Sequence, residues 1–293
     1  MSEGTTGSTV PRRQLGRYLR DLRGKARLTV RAAAEALEWS EAKIWRIETG
    51  QTSLRSLDAE AMCKVYGAPP EMTEFLKGLA KETKGKGWWH AYGDVIPDGF
   101  DLYVGLEESV ASLQWYESDL VPGLFQTPEY ARVLIAARIP ETSDEEIERR
   151  VNLRMARQAL LDRVTSPATI TAVLGEAVLR RPIGSKVIMS LQLHRLLDLA
   201  AQPNVTIRVA PFSAGLHYGV TSGPFVILRF PQHGDKDPEP PTVYVDGFTG
   251  DLYLDKPREI EEYSIAFRGI CDMSLDEKAS RTLIEQAARE LNP

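Results

Sequence analysis

Cysteine is nearly absent from this 293-residue chain. Cys63 and Cys271 sit alone and far apart, and with four scattered histidines they form no zinc-binding spacing. Both are expected to act as small buried hydrophobes in a protein of the reducing cytosol, with no metal and no cofactor. Long apolar runs are missing too. No stretch of about eighteen apolar residues occurs, so no membrane span is expected. The opening MSEGTTGSTV lacks the charged region and following apolar stretch of a signal peptide, which makes the expected location cytoplasmic. A nucleophile elbow, a phosphate loop, a dinucleotide fingerprint, a metal pair and an internal repeat are all lacking, and the chain is not expected to be an enzyme.

What is present is an ordinary globular composition, 43% hydrophobic and 26% charged, on a length that allows two domains. The formal net charge is −5, but it is unevenly spread. Residues 1–90 carry 16 Lys and Arg against 11 Asp and Glu, whereas residues 91–293 carry 20 against 30. Neutralising phosphates takes local rather than global positive charge, so a basic front end on an acidic body suits a DNA reader with a second domain of another purpose.

The stretch 28–50, LTVRAAAEALEWSEAKIWRIETG, reads as helix, turn, helix. Thr29 is placed to N-cap a first helix rich in alanine, and Glu38 and Trp39 break the pattern. Ser40 is placed to N-cap a second helix through Thr49, with Gly50 as its stop. Ile44 and Ile47 turn inward, which leaves Glu41, Ala42, Lys43 and Arg46 on the outward opening turns. That is the layout that sets a recognition helix into the DNA major groove. Glu41, Ala42 and Arg46 are expected at base edges, Ser40 and Lys43 at phosphates, and Thr29 and Arg31 also count among the DNA contacts.

Ser40 to Gly50, SEAKIWRIETG, resembles the S-x-x-x-I-x-x-I-E-x-G signature of the Xre/Cro-type helix-turn-helix repressors. The resemblance implies a domain of five short helices, with an ion pair between helix 1 and the signature Glu, here Arg23 and Glu48. Where that family usually carries Gly in the turn, this chain has Glu38. A non-glycine residue is therefore expected to hold a left-handed conformation, at about 1 kcal/mol.

In chain order, residues 1–11 are expected to be disordered and 12–80 to form the helix-turn-helix domain. Helix 1 is placed at 12–25, helix 4 at 56–66 with Leu57 inward, and a fifth opens at Pro69 or Pro70. Arg13, Arg17 and Arg20 form a basic face on helix 1, either for phosphates or simply solvated. Residues 81–87 read as a linker, and 88–293 as an α/β regulatory, partner-binding or dimerisation domain. The cluster Trp88, Trp89, His90 and Tyr92 fits an apolar anchor of that domain better than a base-stacking platform. Helices are expected at 105–116, 128–138, 143–163 and 185–201, the last with Leu191 inward, and strands at 168–174, 205–209, 224–230, 242–245 and 250–254. Two final helices close the chain. Arg149, Arg150, Arg154 and Arg157 line a face expected to be solvated or paired within its own helix. The fold class that follows is an α N-terminal domain plus a mixed α/β C-terminal domain.

Further blocks resemble one family: Gly87-Trp88-Trp89, Gly105-Leu106-Glu107, the run 121–131 VPGLFQTPEYA, the run 154–158 RMARQ, the run 174–184 LGEAVLRRPIG and Pro211-Phe212-Ser213-Ala214-Gly215. They are similar to the actinobacterial Xre-type regulators described as WhiJ-like and antitoxin-like. This resemblance implies a DNA-binding transcriptional regulator, a repressor or antitoxin-like protein. It also implies a possible small partner protein encoded beside it. A homodimer on double-stranded DNA is expected as well, because one reading head makes few base contacts. In the second domain Glu176, Arg180, Arg181 and His217, with His194, form the one polar constellation fit for a ligand or partner. Structural ion pairs and surface histidines are the simpler reading of the same residues.

Overall fold

Thr9–Lys25 forms α1 in the computed structural model, which describes residues 9–84, 87–97, 100–139, 141–231, 239–248 and 250–291. Of the described residues, those up to Gly93 together with Pro97–Ser109 make one compact unit, and Asp94–Ile96 with Val110 onward make a second.

In the first unit α1 is followed by α2 (Val30–Leu37), α3 (Glu41–Glu48), α4 (Ser56–Val65) and α5 (Pro70–Glu82). Leu15, Leu19, Ala33, Ala34, Ile44, Ile47, Met62 and Leu76 form its core, each from the apolar stripe of its own helix. Leu57, expected inward, is 75% exposed, because the stripe of α4 runs through Ala59, Met62 and Cys63. α1 begins inside the stretch expected to be disordered, and residues 1–8 lie outside the described ones. The expected linker at 81–87 starts within α5, and its residues 85 and 86 are not described. A short 3-10 helix, Trp88–Tyr92, and α6 (Phe100–Glu108) follow in the same unit. Trp89 is buried, and Gly105 of α6 lies so close to Thr9 of α1 that a Cβ there has no room. The aromatic cluster thus anchors onto the helical unit rather than onto the domain that follows.

The second unit is built on a mixed sheet of β1 (Ser112–Glu117), β2 (Thr169–Gly175), β3 (Val205–Ala210), β4 (Phe225–Arg229), β5 (Thr242–Val245) and β6 (Leu252–Leu254), in the order β3-β2-β1-β4-β5-β6. β1, β2 and β3 run parallel, with Leu113 beside Ile170 and Ile170 beside Val205; β4, β5 and β6 continue antiparallel from the other side of β1. β1 corrects the expectation of one helix over 105–116. Leu106, Val110 and Leu113 do fall at helical spacing, but Leu113 and Trp115 are buried on alternate positions of a strand flanked on both sides. Short apolar stretches carry both periods, and pairing with β2 and β4 decides between them.

Pro128–Arg138 forms α7, Asp144–Arg157 α8, Glu176–Arg180 α9, Lys186–Leu199 α10, Tyr218–Ser222 α11, Pro257–Met273 α12 and Glu277–Leu291 α13. α8 ends six residues short of the expected 163, and Leu191 of α10 is 52% exposed while Met189, Leu193 and Leu196 are buried. One sheet face, with Tyr116, Val173, Phe225, Ile227 and Val243, packs on Ile260, Phe267 and Ile270 of α12.

Candidate nucleic-acid interface

Thr29 Oγ1 accepts from the Ala32 N–H at 3.1 Å and Ser40 Oγ from the Lys43 N–H at 3.2 Å, so both helices of the motif start on side-chain caps. Between them Glu38 holds φ 56° and ψ 38°. Its N–H reaches Glu35 O at 3.2 Å and that of Trp39 reaches Ala34 O at 2.9 Å, the paired closure of a helix end on a left-handed residue. The turn keeps the geometry glycine would give, at a backbone cost of about 1 kcal/mol. Gly50 closes α3 in the same way at φ 75°.

On α3, Ile44, Ile47 and Glu48 are buried, and Glu41, Ala42, Trp45 and Arg46 are exposed. Trp45, 53% exposed, is the outward residue that the sequence reading passed over; its spacing of four from Glu41 was the available signal. Lys43 is half-buried, with its ammonium 3.4 Å from the centroid of the Trp39 ring, a cation–π contact that fixes where its charge sits. Thr29 and Arg31 are exposed at the head of α2, where Arg31 pairs with Glu35 at 3.0 Å. Arg13 is buried rather than on the outward basic face, and its stem packs over Gly50, where a Cβ would lie 2.6 Å from its Cγ.

Behind the outward face of α3, Arg23 meets Glu48 through two parallel hydrogen bonds, Nε to Oε1 and Nη2 to Oε2, both 2.7 Å. Its Nη1 also donates to Leu28 O at 2.9 Å. The side chains are 15% and 4% exposed, so this is a desolvated pair, and the hydrogen bond to Glu48 raises the pKa of Arg23 against the lowering effect of burial. The Tyr66 phenol is buried nearby, and burial, then the Glu48 charge, push its pKa up. Gly16 of α1 lies against the end of α3: a Cβ there would stand 2.5 Å from Ile47 O and 2.7 Å from Glu48 O.

The second-domain constellation does not converge on an open site. Glu176 takes Arg180 Nε at 3.3 Å and the Phe212 N–H at 2.9 Å, and Arg180 also pairs with Glu290. Arg181 pairs with Asp119. His217 Nδ1 accepts from the Gly219 N–H at 3.1 Å, capping α11, and its ring stands edge-on to Tyr116. His194 bonds Ser190 O within its own helix. The 121–131 and 154–158 blocks are spent on each other: Gln126 Nε2 donates to Val121 O, and Arg154 Nη1 to Gln126 Oε1, at 2.6 and 2.7 Å. Gln158 Nε2 donates to Gln126 O at 2.6 Å, and the fully buried Gln192 takes the Thr127 N–H at 2.7 Å. Arg157 is buried, which corrects its placement on a solvated or self-paired face; Arg149 pairs with Asp94, outside its own helix, while Arg150 pairs within it to Glu146.

At the end of β1 burial raises the Glu117 carboxyl to about 8, against a hydrogen bond from Trp115 Nε1 that lowers it, with Asp246 and Asp119 raising it further. A carboxyl raised in the folded state keeps a proton that the unfolded chain releases, so its contribution is lost as pH rises from the ordinary carboxylate range through about 8. The denaturant midpoint of this unit is expected to fall over that window, and Glu117→Gln to flatten the fall. Equal slopes in the two proteins would contradict the assignment.

Among the described residues no helix is long and apolar enough to cross a membrane, and no group of His, Cys, Asp and Glu is placed to hold a metal ion. Residues 14–76 match the family described as Helix-turn-helix domain, and residues 100–286 match the one described as Domain of unknown function (DUF5753). Neither a curated protein nor a solved structure matches the chain.

Proposed function

This chain belongs to the family described as Domain of unknown function (DUF5753) and carries a helix-turn-helix domain ahead of it; on that premise we propose that it is a sequence-specific DNA-binding transcriptional regulator, a repressor or antitoxin-like protein of the Xre type. It reads the major groove with α3, binds as a homodimer, and is controlled through its C-terminal domain by a small partner protein or a ligand. The observation that carries this reading is the outward side of α3. Glu41 and Ala42 in its first turn and Trp45 and Arg46 in its second are exposed on a helix whose back is held by Ile44, Ile47 and the Arg23–Glu48 pair. A helix fixed on one side and bare on the other keeps its side chains in register for base edges. No catalytic role is assigned, a choice supported by Glu176, Arg180, Arg181 and His217 each being engaged with neighbours.

Arg46 suits guanine O6 and N7, and its loss should cost about 1–3 kcal/mol and relax one base pair of the site. The experiment is to select bound duplexes from a random pool with the full chain, then titrate the selected site with wild type and Arg46→Ala. Unchanged affinity and unchanged selectivity in the variant would refute the role of Arg46. A wild-type chain that selects no sequence would refute the function.

A further inference from the structure

α12 buries Ile260, Phe267 and Ile270 against the sheet and turns Arg258, Glu261, Glu262, Ile265, Arg268 and Asp272 to solvent. These six fall on one stripe, at the three- and four-residue steps that line a single helix face. Ile265, 43% exposed, is its apolar centre, and four of the five charges, all but Glu261, are antisymmetric about it. Three positions before it stands Glu262 and three after it Arg268; seven before stands Arg258 and seven after Asp272.

We propose that this face is the homodimer contact, formed by α12 lying antiparallel on α12 of a second copy about a two-fold axis at Ile265. The inference rests on the homodimeric reading above and gives it a surface. Under such an axis a residue any number of places before Ile265 meets the residue the same number after it in the other copy. Glu262 then faces Arg268 and Arg258 faces Asp272, each pair occurring twice. A parallel arrangement would set each charge against its like, so the pattern selects one orientation as well as one partner. A foreign partner requires no such self-complementarity.

The exchange is not opposed by the helix itself. Arg258 pairs with Glu262 at 3.0 Å and Arg268 with Glu261 at 3.2 Å, but all four side chains are more than half exposed, and such pairs hold little. Apolar area lies beside the stripe. Tyr218 of α11 packs over Gly269 and remains 53% exposed, Val220 of the same short helix is 61% exposed, and Met273 at the end of α12 is 45% exposed. Two 17-residue helices overlap along roughly 25 Å, and these flanking side chains extend the contact toward the area a stable dimer needs.

The test is sedimentation of the full chain over a range of concentrations, without DNA, each variant being checked for native circular dichroism. Wild type is expected to dimerise, and Ile265→Arg to be monomeric. Glu262→Arg alone and Arg268→Glu alone each set like charges face to face and should weaken the dimer about tenfold or more. The double variant restores opposite charges across the axis and should recover most of that loss. A dimer indifferent to Ile265→Arg and to both single changes overturns this surface while the homodimeric reading stands. A double variant as weak as the singles overturns the antiparallel pairing. A monomeric wild type overturns the surface and the homodimer together, and leaves DNA reading by α3 to be judged on its own test.

Discussion

Glu48→Ala is expected to destabilise the helical unit by about 3–5 kcal/mol. The Glu48 carboxylate is 4% exposed and receives both arms of the Arg23 guanidinium, itself 15% exposed. Removing the carboxylate leaves a charge that water barely reaches, and a lone hydrogen bond to Leu28 O does not replace two charge-assisted ones. Hydrogen exchange of the α1 and α3 amides reports the opening free energy of this unit without interference from the other. A loss below about 1 kcal/mol, the range of an exposed ion pair, would contradict a desolvated one.

The second large effect concerns two glycines of the same helix. Gly16→Ala places a methyl 2.5 Å from Ile47 O and 2.9 Å from the Glu48 carbonyl carbon, and backbone atoms cannot swing aside as a side-chain tip can. α1 and the end of α3 must separate, which should cost about 1–3 kcal/mol even after alanine's better helix propensity is credited. Gly24, near the end of α1, meets nothing within 4 Å, so Gly24→Ala should stabilise by up to about 1 kcal/mol. Opposite signs for one substitution in one helix isolate the contact from propensity. If both substitutions stabilise, the close approach of α1 and α3 is wrong.

The reading motif was legible because its determinants are local. Thr29 and Ser40 cap within three residues of themselves, and the closures at Glu38 and Gly50 are made by the helices they end. Strands β2 to β5 were legible for a similar reason, since each segment carries its own β-branched residues. β1 was not: Ser112–Glu117 lacks β-branched residues, and its strand state comes from β2 and β4, each more than fifty residues away in sequence. Separation along the chain also hid Gly16 and Arg13, whose roles arise only where α1 meets the end of α3. Arg154 and Arg157 look like a charged helix face until the 121–127 turn closes over them: Gln126 takes the hydrogen bond of Arg154, and Arg157 is buried with its guanidinium beside Gly123. Leu57 and Leu191 show the converse, large apolar side chains that stay outside because the buried stripe of each helix lies on another face.

The central claim, that α3 lies in the major groove, is tested most directly by chemical protection on a selected duplex. Dimethyl sulfate methylates guanine N7 in the major groove and adenine N3 in the minor, so the two grooves are read separately in one experiment. With the full chain bound, the expected result is protection of guanine N7 in two half-sites about one helical turn apart, with the Arg46-dependent guanine exposed again in Arg46→Ala. Protection confined to adenine N3, or none at any guanine in a duplex the protein demonstrably holds, would contradict it.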